Sequence, residues 1–229
     1  MKFDPLNDEK SLVELLWLPT TVKGSSELDL IPVNAARASF NKEHTSLDAS
    51  DGKLINFLAK YKHELPFAHA NVGFRFKAPI FVTRQLEKHQ VGFVRSEASM
   101  RYIEPDGHFY IAHEYREQDE NVKQGSKSTP VSANDVAQNM VRGVSGQCLE
   151  TYKYLVKIGV CKEQARSVLP LSTYVTFVCT GSLLGWARMY NLRTAEDAQW
   201  ETRQYAYAVG EALENLFPLS WKALTKGES

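Results

Sequence analysis

Cysteine is scarce. Three occur in 229 residues, Cys148, Cys161 and Cys179, odd in number and far apart. No CxxC pair and no Cys/His grouping with metal-ligand spacing occurs, which argues against a disulfide framework and against zinc. Reduced, mostly buried thiols in a cytoplasmic protein are the expectation. An excess of either charge is missing too: 27 basic and 27 acidic side chains give a formal net charge of +0. That excludes bulk electrostatic attachment to nucleic acid or membrane, so an anionic partner must be held by a local cluster. Long apolar runs are absent. The stretch "MKFDPLNDEKSLVELLWLPTT" has acids early and reads as neither a signal peptide nor a membrane span. The common catalytic templates are missing as well, with no GxGxxG or GxxxxGK[ST] loop, no HExxH and no GxSxG elbow.

What is present suits one domain covering residues 1–229, with 43% hydrophobic residues. A chain of this length buries roughly 70% of the surface that it exposes when unfolded. "LDLIPVNAARASF" reads as a short strand into a turn, and "SLDASDGKLINFLAKYKHELPF" as a polar loop into a helix. "NVGFRFKA" alternates, with Val72, Phe74 and Phe76 on one face and Arg75 and Lys77 on the other, as a half-buried strand does. Pro79 suits the first turn of a helix running to about Gln90, with Gly92 as its stop. Asp119 to Thr129 is polar and loop-like. A long helix near Ala133–Ile158 carries Val136, Met140, Val144, Cys148, Tyr152 and Leu155 at spacings of three or four. "TYVTFVCT" reads as a strand, a helix begins near Gly181, and a last helix covers about Glu196–Leu216. The class is α+β, a mixed or antiparallel sheet flanked by helices.

Three donor-rich segments carry the chemistry. Arg84–Tyr102 gathers Arg84, Lys88, His89, Arg95 and Arg101 around Glu87 and Glu97; "ARSVLPLS" holds Arg166; "GSLLGWARMYNLRTAEDAQW" holds Arg188 and Arg193. For Arg84 and Lys88 a solvated helix face is the commoner explanation. Arg166 and Arg193 are flanked by apolar residues that would draw them inward, and a buried guanidinium needs an anionic partner. Together these features point to a phosphorylated planar ligand held by arginine.

The chain resembles the flavin-dependent thymidylate synthases. That family carries Arg-His-Arg followed by Asn-Glu-x-Ser-x-Arg-Tyr, and here "KHQ…SEASMRY" spans Lys88–Tyr102. "NAARASF", "HELPFAH", "FRFKAPIFVTRQ", "ARSVLPLSTY" and "NLRTAEDAQWETRQYA" are similar to further family signatures, in family order from Asn34 to Ala206. The resemblance implies reductive methylation of dUMP to dTMP, with methylenetetrahydrofolate as carbon donor, reduced FAD as hydride donor and NADPH as reductant. It also implies a homotetramer with active sites shared between subunits. A related flavin- and folate-dependent modification of a pyrimidine deoxynucleotide, such as hydroxymethylation, and a catalytically inactive nucleotide-binding homologue are the alternatives.

By the resemblance, Gln85, Lys88, Glu97, Ser99, Met100, Arg101 and Arg166 contact dUMP. Arg193 is the catalytic arginine, set against the uracil edge to stabilise negative charge there. Flavin contacts fall on Ser39, His63, Lys88, His89, Gln90, Glu97, Ser182, Leu183, Leu184 and Arg188. Lys88 and Gln90 stand in place of the two arginines of Arg-His-Arg, Leu65 in place of a Ser or Thr, and Asp197 in place of a His.

Overall fold

Alternating side chains build the central sheet. The computed structural model describes residues 1–21, 26–120 and 126–226. Its strands are β1 (Lys2–Phe3), β2 (Leu12–Trp17), β3 (Asn71–Pro79), β4 (Phe93–Glu97), β5 (Arg116–Gln118), β6 (Ser126–Pro130) and β7 (Tyr174–Ser182). The five-stranded sheet has the order β1-β2-β3-β7-β4, and β5 pairs with β6 in a separate hairpin. Every pairing between these strands is antiparallel, so of the expected mixed or antiparallel sheet the antiparallel form holds.

The alternation expected for β3 is present: Val72, Phe74 and Phe76 are buried while Arg75 is exposed. Phe76 faces Phe177 of β7 in register, and their rings stack at 4.7 Å. Trp186 closes the core edge-on to Phe74 and Phe93, and its indole N–H donates to the Val72 carbonyl at 3.1 Å. Burying each such aromatic contributes about 1.5–3 kcal/mol, provided its polar atom finds a partner.

Helices α1 (Leu30–Arg37), α2 (Ala49–Lys60), α3 (Ile80–Leu86), α4 (Asn134–Lys157), α5 (Lys162–Ala165), α6 (Leu183–Arg193), α7 (Trp200–Leu216) and α8 (Pro218–Thr225) complete the fold. The expected strand in "LDLIPVNAARASF" is instead α1. Pro32 sits in its first turn, where the missing N–H has no partner to lose, and Leu30, Pro32 and Val33 are buried. Asp29 precedes α1 but does not cap it. Its buried carboxylate accepts from the backbone N–H of Leu219 and Ser220, both at 2.9 Å, and so caps α8.

Other expectations are corrected. Pro79 ends β3, and α3 stops at Leu86 rather than near Gln90. The residues after Leu86 carry the chain to β4 through Gly92, whose φ of +80° suits glycine. Of the segment Asp119–Thr129, residues 126–129 form part of β6 rather than loop, and residues 121–125 lie outside the described residues. The last long helix begins at Trp200, because Gln199 is extended. The cysteines are not mostly buried: Cys161 is exposed, and Cys148 and Cys179 are intermediate. The stripe on α4 buries only Tyr152 within the chain; Val136, Met140 and Val144 are 59%, 66% and 61% exposed.

Candidate active site

Two of the strands hand directly into helices. β3 runs into α3 and β7 into α6, and because Asn71 pairs with Ser182 and Pro79 with Tyr174, these helices start at opposite ends of the strand pair. Their C-terminal ends nevertheless meet. Arg193, in the last turn of α6, donates from Nε to Nε2 of His89 at 2.9 Å and from Nη2 to the Gln85 carbonyl at 2.9 Å. The Gln85 carbonyl, in the last turn of α3, lacks a helical partner, and a cation is favourable there.

Burial lowers the His89 pKa from 6.5 to about 4, with the charge of Arg193 adding to the effect. The ring is therefore neutral near pH 7, and Nε2 accepts from the guanidinium. Burial also pushes Arg193 down from the usual arginine value. Gln85 is held at both ends of its amide. Nε2 donates to Oε1 of Gln199, and Oε1 accepts from the Thr202 hydroxyl at 3.2 Å.

A cleft of about 310 Å³ opens beside the turn after α3. Ser182, Leu184 and Arg188 line it, facing Leu65, Ala68, Val91 and Gly92. Ser182 caps α6 by accepting from the Gly185 N–H at 3.1 Å, and its own N–H donates to the Gly92 carbonyl at 2.9 Å. A Cβ at residue 92 would lie 2.8 Å from the Ser182 hydroxyl, so the close approach requires glycine. Leu65 and Val91 are 79% and 78% exposed, and Lys62 and Arg188 add positive charge. Arg188 is paired with Glu64 at 2.5 Å.

A smaller cavity of about 150 Å³ lies between sheet and helices, lined by aromatic side chains together with His89, Arg95 and Cys179. The Arg95 guanidinium sits 3.5 Å from the centroid of Phe177, and Arg95 pairs with Glu97 at 2.6 Å and Glu87 at 3.1 Å. Glu97 is thus engaged by Arg95 on its own strand. Burial pushes the Cys179 thiol up to about 11, which leaves it protonated and a poor nucleophile.

Of the remaining expected residues, Gln90 lines the smaller cavity beside His89, and the others make none of these contacts. Ser99 shapes the turn after β4: its hydroxyl accepts from the Arg101 N–H at 3.3 Å, and its carbonyl from the N–H of Tyr102 and Ile103. Arg101 is exposed and Met100 buried. Arg166 is exposed, contrary to the inward placement expected from its neighbours, because Ala165 takes the buried position as the chain tightens into a 3-10 turn. Lys88, Gln90, Ser39 and His63 are exposed; His63 stacks on Phe57 and stands between Lys62 and Glu64 of the cleft. Leu183 is fully buried, and its N–H is committed to the Ala70 carbonyl at 2.7 Å. Among the described residues, Arg84, Lys88, Arg101 and Arg166 have no acidic partner at ion-pair distance.

Sequence reasoning passed over the polar group behind Gln85, namely Gln199, Glu201, Thr202, Tyr110 and Arg116. The available signal was one acid, Glu201, inside "AQWETRQYA". Elsewhere, His44, Asp48 and Asp51 bring possible metal-ligand atoms within 4.8 Å of one another. Asp51 there accepts from Arg37 at 2.6 Å and meets His44 at 2.9 Å, while Asp48 caps α2, so these groups satisfy one another.

Comparison with known proteins matches residues 22–219 to the family described as "Thymidylate synthase complementing protein". The chain is 36% identical over 214 residues to the "Flavin-dependent thymidylate synthase" of Thermus thermophilus, covering 91% of this chain and 78% of that protein. It is 34% identical over 215 residues to the protein of the same name from Thermotoga neapolitana, covering 91% and 94%. In structure it resembles the UMP/dUMP methylase PolB of Streptomyces cacaoi bound with 5-Br UMP, with a TM-score of 0.81, 26% identity and 95% of each chain covered. The same methylase bound with 5-Br dUMP gives a TM-score of 0.79 at 29% identity, covering 93% and 94%.

Proposed function

The chain belongs to the thymidylate synthase complementing protein family, and from this we propose that it is a flavin-dependent thymidylate synthase that reductively methylates dUMP to dTMP. The observation that carries the reading is the convergence of Arg193, His89 and Gln85 where α3 and α6 end. Two of the guanidinium's hydrogen bonds are spent on fixing its plane, and its other N–H groups remain to receive a uracil oxygen. A preoriented cation against that edge stabilises the negative charge that makes C5 nucleophilic. No enzyme nucleophile is called for, in keeping with a Cys179 thiol held protonated.

The cleft beside Gly92 fits a flavin by the chemistry of its lining. Leu65, Val91 and Leu184 offer apolar wall to a ring system, and Lys62 and Arg188 offer charge to a pyrophosphate. Ser39, His63, Lys88, His89, Gln90, Glu97, Ser182 and Leu183 complete the proposed flavin set. Held there, FAD would supply a hydride, with methylenetetrahydrofolate as the proposed carbon donor and NADPH as the proposed reductant. Lys88, Glu97, Ser99, Met100, Arg101 and Arg166 are proposed to hold dUMP, with the acid-free charges of Lys88, Arg101 and Arg166 positioned for its phosphate. We further propose a cytoplasmic homotetramer in which the exposed stripe Val136, Met140 and Val144 is covered by another copy and the sites are shared between chains.

Incubation with dUMP, methylenetetrahydrofolate, FAD and NADPH tests the reading, with UMP in parallel. The expected nucleotide product is dUMP plus one CH2. A hydroxymethyl product, or no change in mass with flavin still bound, would overturn it.

A further inference from the structure

We infer that Glu201 is a positioning residue, a buried carboxylate that ties the β5–β6 hairpin to Gln85 and thereby sets the edge that Gln85 offers to the nucleotide. The inference rests on the functional reading above for its nucleotide, and on the geometry for everything else.

Glu201 stands in the first turn of α7 and is 4% exposed. A buried carboxylate is costly unless each oxygen is satisfied, and here both are. Nη2 of Arg116 donates to Oε1 at 3.0 Å and to Oε2 at 3.2 Å, the Tyr110 hydroxyl donates to Oε1 at 3.2 Å, and Nε2 of Gln199 donates to Oε2 at 2.9 Å. Burial and the neighbouring carboxylate hold the Tyr110 phenol far above its usual pKa, so it stays a donor.

The consequence runs in two directions. Outward, Arg116 belongs to β5; its Nε donates to the Ser126 hydroxyl of β6 at 2.8 Å, and its guanidinium lies 5.4 Å from the Trp200 ring. Both strands of the hairpin are therefore referred to one carboxylate. Inward, Gln199 gives its amide N–H to Glu201 and so must present its carbonyl oxygen to Gln85. That fixes Nε2 of Gln85 toward Gln199 and Oε1 toward Thr202. The polarity of Gln85 is thus dictated by the charge on residue 201. An amide at 201 would turn a donor toward Arg116 or toward Gln199, and either choice leaves an unmatched group in the chain.

The test uses Glu201→Gln on the flavin-loaded protein, with Arg116→Met as a second variant that leaves the buried position intact. Flavin content is read by visible absorbance, dUMP affinity by calorimetry, and hairpin exposure by tryptic cleavage after Lys127. Expected are about tenfold weaker dUMP binding in both variants, unchanged flavin content, faster cleavage after Lys127, and recovery of affinity in Glu201→Asp. Affinity within twofold of the parent, or flavin and dUMP lost equally, would overturn the inference by making the pair inert or merely structural. A parent protein that binds flavin but no dUMP would instead sink the functional reading. Cleavage after Lys127 would then decide between a hairpin anchor and an inert pair.

Discussion

Nε of Arg193 donates to an unprotonated ring nitrogen of His89 at 2.9 Å. The anchoring of the candidate catalytic cation therefore depends on the proton count of one imidazole. Between its ordinary value of 6.5 and its folded value of about 4, the folded chain binds fewer protons at His89 than the unfolded chain. This contribution makes stability fall as the pH drops through that window, and it makes no further difference above it. An NMR titration of the ring should give a midpoint near 4. A midpoint near 6.5 would mean that His89 is solvated and does not hold Arg193.

Replacing Arg193 by Ala should lower kcat by about 10²–10³-fold, the usual cost of losing one donor to developing negative charge. Flavin absorbance should stay that of the parent, since the arginine does not line the cleft beside Gly92. Equal losses of turnover and flavin would remove it from its assigned role.

Arg188 spans that cleft to Glu64 at 2.5 Å, and its side chain is 52% exposed. Exposed pairs contribute about 0–1 kcal/mol, so Glu64→Gln should barely move the urea midpoint. Arg188→Met should weaken flavin binding by about tenfold if the cation meets pyrophosphate. Unchanged flavin affinity in a titration would place the cofactor elsewhere.

Asp29→Ala removes the cap of α8 from a buried position. The expected loss is about 1–2 kcal/mol in a urea melt, with the slope of the transition unchanged. A loss under about 0.5 kcal/mol would mean that water replaces the carboxylate.

Met140→Glu places a charge in the exposed stripe of α4. If the stripe closes the proposed interface, sedimentation should then report smaller species than the parent does, because an unpaired charge in a closed interface is costly. A parent that sediments as a monomer would remove the stripe from any self-contact.

Part of the fold is legible in the sequence. The alternation of Val72, Phe74 and Phe76 predicts β3, and the motifs name the segments proposed to carry the site. Local signals failed where distant partners decide the conformation. The strand expected in "LDLIPVNAARASF" is a helix instead, because a first turn tolerates Pro32 and the buried Leu30 and Val33 hold that turn in place. Pro79 could open a helix or end a strand, and pairing with Tyr174 made it the end of β3. The meeting of Arg193 with Gln85 depends on two strands far apart in sequence, which no window on either segment contains. Glu201 gave one acid in a polar stretch, a pattern too common to single out. The α4 stripe had the right period, but periodicity names a face without naming what covers it.

Strand β7 lies between β3 and β4, although β3 and β4 follow one another in the chain. The link between them, Ile80–Gly92, bears Gln85, Lys88, His89 and Gln90, and it bridges a slot that only Tyr174–Ser182 can fill. On a ribosome, this link emerges long before the strand that gives it a floor. The turn proposed to face the nucleotide is thus synthesised well before the strand that completes its support. A nascent chain arrested before residue 174 would carry every motif of Arg84–Tyr102 with nothing to hold them in register.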